Sequence, residues 1–387
     1  MIKYGLDIGS CGIRILGGRY SGEDLTLIGG ISASIEGYFG GAITDKRKLV
    51  YLILEAVRQF ESKYGKRPSS FVLGISTPQL SYVNLYKKYL RKNSDSPIFE
   101  KEISKYTQQL LQEIIPWDRK EIYYEVEEFI LDGQRGIVNP YGLSASVIEI
   151  VANACVLPLN YYNNLMSLFS ELGLEIEEIV PEIIAQSYVC LSYQEKKGSV
   201  MFINYGWGTV KVTVFKNGII KYLRCFPSNL KSILELMEEV YHLDGGSSGE
   251  ILQELFVTED RVIKFQNKAS VQTIPVSNVY SLVKKRLSRM FYKIRKDLED
   301  KGIGSHFKQG IKVSGGIVTN YPGLKEIIYE VFHQPVEICS PEGVAPEYIT
   351  ALGLLKYSVE REKARLKGKN LLSRLIANLT EFIHKYF

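Results

Sequence analysis

Apolar and polar positions alternate along the first hundred residues in a way that predicts a strand meander and then a helix. Residues 2–8 form a short apolar run that enters a glycine turn, and a second run follows at 13–16. Over 46–64 the apolar residues recur at helical spacing, and Asp45 stands where a helix N-cap is favoured. Residues 70–75 predict another buried strand.

The pattern of apolar and polar residues changes in the next segment. Residues 82–118 are polar, and their pattern is interpreted as mostly helical. Strands are predicted at 122–130 and 146–156, on either side of a turn-rich link at 133–143. The sequence therefore predicts a small α+β unit inserted at 82–160.

The second half of the chain repeats the opening pattern. A strand at 199–203 ends in a glycine turn, and strands at 211–215 and 219–224 form a hairpin around Asn217-Gly218. The order strand, glycine turn, strand, turn, strand thus occurs twice, which is a weak internal repeat and indicates two lobes. Residues 228–310 are predicted to be largely helical.

The last residues predict an amphipathic helix behind a basic linker. The segment 371–387 carries charges and is too short to span a bilayer, so it suits the membrane interface. The basic linker at 358–370 adds attraction to anionic lipid. Docking of this helix on its own domain is the alternative. The candidate membrane-binding residues are Leu371, Leu372, Leu375, Ile376, Leu379, Phe382, Ile383 and Phe387, with Arg374 and Lys385.

Composition narrows the class of protein. The 387 residues are 45% apolar and 24% charged, as in ordinary globular proteins, and a net charge of +5 without a basic module argues against nucleic-acid binding. Five scattered cysteines without a CxxC motif argue against a zinc site or a disulfide framework, and favour a reduced cytoplasmic protein. The chain has no signal-peptide pattern and no long apolar run, so we expect a cytoplasmic location.

The glycine turns are the candidate ligand-binding site. If two lobes face each other, each turn points backbone N–H groups into the cleft, where they suit phosphate. Asp7, at the end of the first strand, is a candidate to hold Mg²⁺ through its water shell. A tight turn between strands needs glycine in any case, so each turn alone also has a purely structural explanation. The candidate nucleotide-binding residues are Asp7, Gly9, Ser10 and Cys11, then Gly206, Gly208 and Thr209, then Gly315 and Gly316.

These motifs resemble a known superfamily. Residues 6–10 look like the first phosphate loop of the actin, Hsp70 and sugar-kinase superfamily, 203–209 resemble the second, and 313–316 resemble the adenosine loop. Within it, the run of Gly, Asn and Pro at 131–143 is most similar to the FtsA family of actin-like bacterial cell-division proteins. The resemblance covers about residues 2–357 and also the terminal helix.

The resemblance implies an α/β fold: a two-lobed, actin/Hsp70-like ATPase with an inserted small α+β (SHS2-type) subdomain and a C-terminal amphipathic helix. The implied parts are a lobe 1 core at 1–81 and 161–197, the inserted subdomain at 82–160, a lobe 2 core at 198–227 and 311–357, a helical subdomain at 228–310, a basic linker at 358–370 and a membrane-targeting helix at 371–387.

The resemblance also implies a function. Proteins of this family are scaffolds at the division site, peripheral on the inner face of the cell membrane, where the terminal helix binds anionic lipid. Such a scaffold tethers the tubulin-like FtsZ polymer, here through 228–310, and self-associates into actin-like filaments. The implied cofactors are ATP and Mg²⁺. Glu250 resembles the ribose-contacting glutamate. Glu182 lies near the place where some members orient a water for hydrolysis, and the alternative is a glutamate that stabilises the N-terminus of its helix.

The sequence departs from the family pattern at three single positions and at 227–229, where Pro-Ser-Asn replaces the glycine pair expected after the following strand. Asn204 replaces the aspartate that begins the second phosphate loop, Trp207 replaces its middle glycine, and Lys211 replaces an acidic residue. Without these carboxylates we expect no efficient ATPase activity, and either nucleotide binding with poor turnover or a purely structural cleft. Lys211 either attracts phosphate or is a solvated lysine on a strand.

Two other functions compete with the scaffold. A type IV pilus assembly protein of the PilM type resembles FtsA in fold, but that family generally lacks the terminal helix. A sugar or acyl kinase of the same superfamily needs an intact metal site and a catalytic aspartate, and Asn204 and Lys211 argue against it.

Overall fold

The computed structural model describes residues 2–21, 24–241, 262–267, 270–304, 306–316, 323–339, 341 and 343–363. Glu250 and the predicted terminal helix at 371–387 lie outside the described residues. Within these ranges, no helix is long and apolar enough to cross a membrane.

The first lobe is built on a five-stranded sheet. An antiparallel meander of three strands is extended on one side by two strands that run parallel to its first strand. Two-residue strands β4 (Tyr38–Phe39) and β5 (Ala42–Ile43) pair beside it. In spatial order the five strands are β11 (Glu175–Pro181), β6 (Ser70–Ile75), β1 (Ile2–Gly9), β2 (Gly12–Ser21) and β3 (Asp24–Ala33).

Helix α1 (Lys46–Tyr64) packs on this sheet and confirms the sequence prediction in detail. The Asp45 carboxylate accepts hydrogen bonds from the backbone N–H groups of Arg47 and Lys48, which have no partner within the helix. Gly65 ends the helix in the left-handed conformation, with φ +66°. Capping residues and the apolar stripe therefore fix both ends of α1 and the face that it buries.

The inserted unit is a four-stranded antiparallel sheet covered by helix α2 (Glu100–Ile114). The strand at 81–90 corrects the expectation that 82–118 is mostly helical. In this strand the two residues with the deepest burial, Leu85 and Tyr89, are four apart, so its pattern imitates a helix. In spatial order the strands are β7 (Ser81–Leu90), β10 (Val147–Pro158), β8 (Arg119–Leu131) and β9 (Gln134–Ile137).

The second lobe repeats the topology of the first, which confirms the internal repeat. Its order is β14 (Ile219–Pro227), β13 (Thr209–Lys216), β12 (Ser199–Tyr205), β17 (Ile311–Ser314) and β18 (Val336–Ile338), again an antiparallel meander extended by parallel strands. The region 228–310 holds helices α6 (Leu230–Tyr241) and α7 (Val276–Asp300), and also a hairpin of β15 (Val262–Asn267) and β16 (Ser270–Pro275) that the sequence did not predict. Helix α8 (Leu324–Phe332) packs against α7.

Helix α3 (Leu159–Glu171) leads into β11, and the two lobes are joined by helix α4 (Glu182–Cys190) and short helix α5 (Tyr193–Lys197). Helix α4 contacts strands of both sheets. A last helix, α9 (349–363), crosses α4 so closely that a Cβ at Gly353 would lie 2.3 Å from the carbonyl oxygen of Ala185. One apolar core therefore runs from the first sheet through α4 to one face of the second.

The cysteines correct the expectation of an entirely reduced chain. Cys190, the last residue of α4, and Cys339, just after β18, form a disulfide with a Cα–Cα distance of 5.6 Å. Cys155 and Cys225 are free and buried, and Cys11 is free and exposed. The absence of CxxC excluded only local pairing, because a bond between residues 149 apart is created by the fold.

Candidate functional site

The three glycine turns meet at one cavity of about 620 Å³ between the lobes. They reach it from the ends of β1 and β12, which lie at equivalent positions in the two sheets, and from the end of β17, which pairs in parallel with β12. The cavity is lined by Asp7, Gly9, Ser10, Cys11, Arg14, Tyr38, Ser76, Glu182, Gln186, Asn204, Gly206, Trp207, Gly208, Thr209, Lys211, Gly315, Gly316 and Glu347, among others. Every predicted site residue within the described ranges therefore lies at this cavity.

The two phosphate-loop hairpins have the same register. In the β1–β2 hairpin Asp7 pairs with Arg14, and in the β12–β13 hairpin Asn204 pairs with Lys211. The partners are seven residues apart in both hairpins. Each loop thus has one polar side chain at the end of its first strand and one cation directly across from it.

Arg14 was not among the predicted site residues, although it occupies the position in the first hairpin that Lys211 occupies in the second. A methyl group added at Gly9 would lie 3.1 Å from Arg14 Nη1, and one added at Gly206 would lie 3.8 Å from Lys211 Nζ. The equal spacing of Asp7–Arg14 and Asn204–Lys211 was the signal that could have revealed it.

The two loops touch across the cleft. A Cβ at Gly208 would lie 2.1 Å from Ser10 Oγ and 2.7 Å from the backbone nitrogen of Gly40. Ser10 Oγ also accepts a hydrogen bond of 3.0 Å from that nitrogen. Glycine at 208 is therefore required for the two lobes to approach this closely.

Asp7 is a buried carboxyl group, only 5% exposed. Burial is the largest cause that raises its pKa, the carboxylate of Glu182 adds to it, and Arg14 and Lys211 act in the opposite direction, giving a pKa of about 7. Arg14 Nη1 is 3.9 Å from Asp7 Oδ2. A carboxyl group with this pKa is only partly ionised at neutral pH.

Lys211 and Glu182 form a buried ion pair, with 2.7 Å between Nζ and Oε2. This corrects the alternative of a solvated lysine. Burial alone lowers the pKa of the Lys211 ammonium, but the Glu182 carboxylate outweighs it and the net direction is upward. Glu182 Oε1 is buried with no hydrogen-bond partner among the described residues. Glu182, the candidate catalytic residue, thus reaches the cavity but is already neutralised by a cation.

Other polar contacts close the walls of the cavity. Asn204 Nδ2 donates to Ser314 Oγ at 2.9 Å, so the amide is engaged with the third loop. The hydroxyl groups of Thr209 and Ser76 are 2.7 Å apart and join the two lobes. Trp207 lines the cavity and packs against the core of the second lobe.

The third glycine pair differs in its two members. Gly315 has φ +113°, and a Cβ there would lie 2.2 Å from the carbonyl oxygen of Tyr205, so the position requires glycine. A Cβ at Gly316 would meet no atom within 4 Å. There is therefore room beside Gly316 at the wall of the cavity, as expected of a loop whose backbone lies against a bound ligand.

The surroundings of Glu182 do not favour a metal ion bound directly to its carboxylate, whereas Mg²⁺ held by Asp7 through water stays a prediction. A Mg²⁺ bound directly to Glu182 Oε2 at about 2.0–2.1 Å would lie within about 5 Å of the Lys211 ammonium, which is 2.7 Å from that oxygen. At an effective dielectric constant of 20, this repulsion is about 7 kcal/mol. Asn204 supplies no charge to offset it, and among the described residues no group of acidic, histidine or cysteine side chains is arranged to hold a metal.

In sequence, the inserted unit and most of the chain are similar to one family of proteins. Residues 81–155 match the family described as the SHS2 domain inserted in FtsA. The cell division protein FtsA of Borreliella burgdorferi is 22% identical over 399 residues, covering 95% of both chains. That of Bacillus subtilis is 23% identical and covers 95% of this chain and 85% of its own.

Solved structures show the same fold. The PilM–PilN type IV pilus biogenesis complex matches with a TM-score of 0.64 at 14% identity, covering 92% of this chain and 98% of its own. MreB5 of Spiroplasma citri bound to ADP matches with a TM-score of 0.53 at 11% identity, covering 96% of this chain and 98% of its own. At these identities the likeness defines the fold.

The duplicated sheets, the cleft between them and the inserted sheet define an actin-like ATPase fold with an SHS2-type subdomain. Within that class, this chain is similar to the cell division protein FtsA along most of its length, and its inserted unit matches the SHS2 domain of FtsA.

Proposed function

We propose that this protein is a cell-division scaffold that binds ATP in the interlobe cavity and tethers an FtsZ-like polymer to the cytoplasmic membrane. The observation that carries the proposal is the convergence of three glycine turns, spread over more than 300 residues, on one cavity in a chain that aligns with FtsA proteins over 92–95% of its length.

The cavity has the chemistry for a nucleotide. Backbone N–H groups of the two hairpin loops suit the phosphates, and Arg14 and Lys211 add positive charge beside them. The open space at Gly316 suits an adenine or ribose. Efficient turnover is not part of the proposal, because in the described part of the chain no group of acidic, histidine or cysteine side chains is arranged to hold a metal ion that would stabilise the charge on the transferred phosphoryl group.

Thermal unfolding with ATP tests the nucleotide element. A ligand that binds only the folded state stabilises it, by about 2.7 kcal/mol at a hundred times its Kd. The wild type should therefore melt at a higher temperature as ATP is added. Gly316→Trp should abolish this shift, because it adds a large side chain to a residue that lines the cavity, at a position where a Cβ has room.

The matched control is Val138→Trp, which places the same side chain on an exposed position of the inserted unit. It should keep the full ATP shift. If wild type shows no shift at saturating ATP, nucleotide binding is excluded from the function. The scaffold would then work without a ligand.

The tether rests on the sequence of residues 358–387. One short interfacial helix binds membrane weakly, and many copies held on one polymer would bind strongly through avidity. Likewise, the assignment of 228–310 to the polymer contact and the formation of actin-like filaments come from the resemblance to FtsA. A membrane-bound filament would concentrate the polymer at the division site.

Vesicle sedimentation tests the tether. The full chain should sediment with anionic vesicles and carry an FtsZ-like polymer with it, whereas the chain without 371–387 should bind the polymer but not the vesicles. The variant Leu375→Asp, which keeps the length of the helix, should lose vesicle binding as well. Sedimentation of both variants with the vesicles would refute the anchor.

A further inference from the structure

We propose that the cavity binds nucleotide phosphates without a divalent cation, the Lys211 ammonium acting as the cation in its place. The inference rests on the proposed nucleotide binding and adds which charge holds the phosphates. It concerns a difference between this chain and the pattern of its family, in which an acidic residue occupies the position of Lys211.

The position of the ammonium is the first support. Lys211 Nζ lies 2.7 Å from a carboxylate oxygen of Glu182, and a methyl group on Gly206 would lie within 3.8 Å of it. It is therefore between the acidic wall of the cavity and the backbone of the second phosphate loop. A cation that interacts with both the Glu182 carboxylate and a bound phosphate has to lie between them, which is where the Lys211 ammonium lies.

The freedom of the ammonium to bind a second anion is the next support. An ammonium group has three N–H donors, and Glu182 takes one of them. The side chain is 9% exposed and lines the cavity, so its remaining donors can reach a ligand there. Glu182 holds the stem in position, and the charge is available at the cavity.

The matching cation of the first hairpin completes the arrangement. Arg14 lies across from Asp7 as Lys211 lies across from Asn204, and its Nη1 is close to the backbone of Gly9. One cation thus stands beside each phosphate loop. Two fixed cations on opposite lobes can bind adjacent phosphates of one nucleotide, which is the task that a bridging metal ion performs elsewhere.

Calorimetric titration of the full chain with ATP tests the inference in two buffers, one with excess MgCl₂ and one with excess EDTA. Free ATP carries more negative charge than its magnesium complex, so ATP should bind at least as tightly in EDTA. Binding that is tighter in magnesium by more than about tenfold would overturn the inference. Absence of binding in both buffers would instead overturn the proposed nucleotide function, and this inference with it.

Two variants examine the residue directly. Lys211→Met should weaken ATP binding in EDTA by about tenfold or more, whereas Lys216→Met, which removes an exposed lysine of the same strand, should not. The double variant Asn204→Asp/Lys211→Asp restores the family's acidic pattern and should make binding depend on magnesium. These outcomes need no activity assay. If Lys211→Met does not fold, the comparison of buffers on the wild type still decides the question.

Discussion

The two phosphate-loop hairpins share one backbone and differ in their charges. Asp7 pairs with Arg14 in the first, and Asn204 pairs with Lys211 in the second, at the same register and spacing. The first pair joins a carboxyl group to a guanidinium, whereas the second joins an uncharged amide to an ammonium that is paired with Glu182 of α4. A duplicated fold therefore fixes where the polar side chains stand but leaves their electrostatic roles free to diverge.

The two hairpins also differ in how strongly their charged side chains are bound to neighbouring elements. The Asp7–Arg14 contact is long, at 3.9 Å, and Arg14 Nε has no partner among the described residues. The Lys211–Glu182 contact is short and almost fully buried. The second hairpin is thus bound to α4 by an ion pair whose two members depend on each other, and the first is not.

Removing the cation from each hairpin should therefore have unequal effects. Lys211→Met leaves Glu182 buried without its partner, and we expect a loss of about 3–5 kcal/mol in the free energy of unfolding. Arg14→Met breaks a longer contact and should cost about 1 kcal/mol. Urea denaturation of both variants at neutral pH makes the comparison.

The control for this comparison is the double variant Glu182→Leu/Lys211→Met. Replacing both members of a buried ion pair by apolar residues is often close to neutral, so most of the stability should return. Equal losses in Lys211→Met and Arg14→Met would show that the two hairpins do not differ as described.

The pKa of Asp7 gives the next comparison, in which Asp7→Asn makes the first hairpin resemble the second. Because the pKa is raised from 3.8 to about 7, the favourable contribution of the carboxyl group is complete below pH 3.8 and is lost as the pH rises through 7. At pH 8 the full shift corresponds to at most about 4 kcal/mol. Asparagine stands in for the uncharged acid, and the shift already includes the attraction to Arg14, so we expect a gain at pH 8 of at most this size.

Stability measured at pH 5 and pH 8 checks this sign. The advantage of Asp7→Asn over wild type should grow with pH, whereas Asp118→Asn, which changes an exposed carboxylate, should show no such trend. An advantage that is constant with pH would mean that Asp7 is already ionised in the folded protein. The neighbouring carboxylate of Glu182 would then not keep Asp7 protonated.

The repeat behind this comparison could be predicted from the sequence, because glycine turns and apolar strands are local signals. The cap at Asp45 and the helix it begins followed from the same kind of signal. The residues at 81–90 were misread because the buried positions of a strand with one solvated face happened to fall four apart. A local pattern cannot distinguish a helix from a strand where apolar residues are four apart, because that spacing fits both.

The charges of the site could be predicted only in part. The sequence identified Lys211 as a departure, but it could not reveal that Glu182, 29 residues earlier on the helix that joins the lobes, would face it. The same holds for Cys190 and Cys339, which only the fold brings together. Pairing between distant buried side chains depends on how two sheets pack, and no local pattern records it.

The smallest expected difference concerns the hydroxyl groups beside the two loops. Thr209→Val keeps the shape of a buried side chain but leaves Ser76 without its strong partner, and should cost about 1–2 kcal/mol. Ser10→Ala removes a contact to the nitrogen of Gly40 in a place that water can reach, so about 0.5 kcal/mol is expected. Thermal unfolding of the two variants measures this difference directly. A larger loss in Ser10→Ala would locate the main link between the lobes at the touching loops rather than at the Ser76–Thr209 contact.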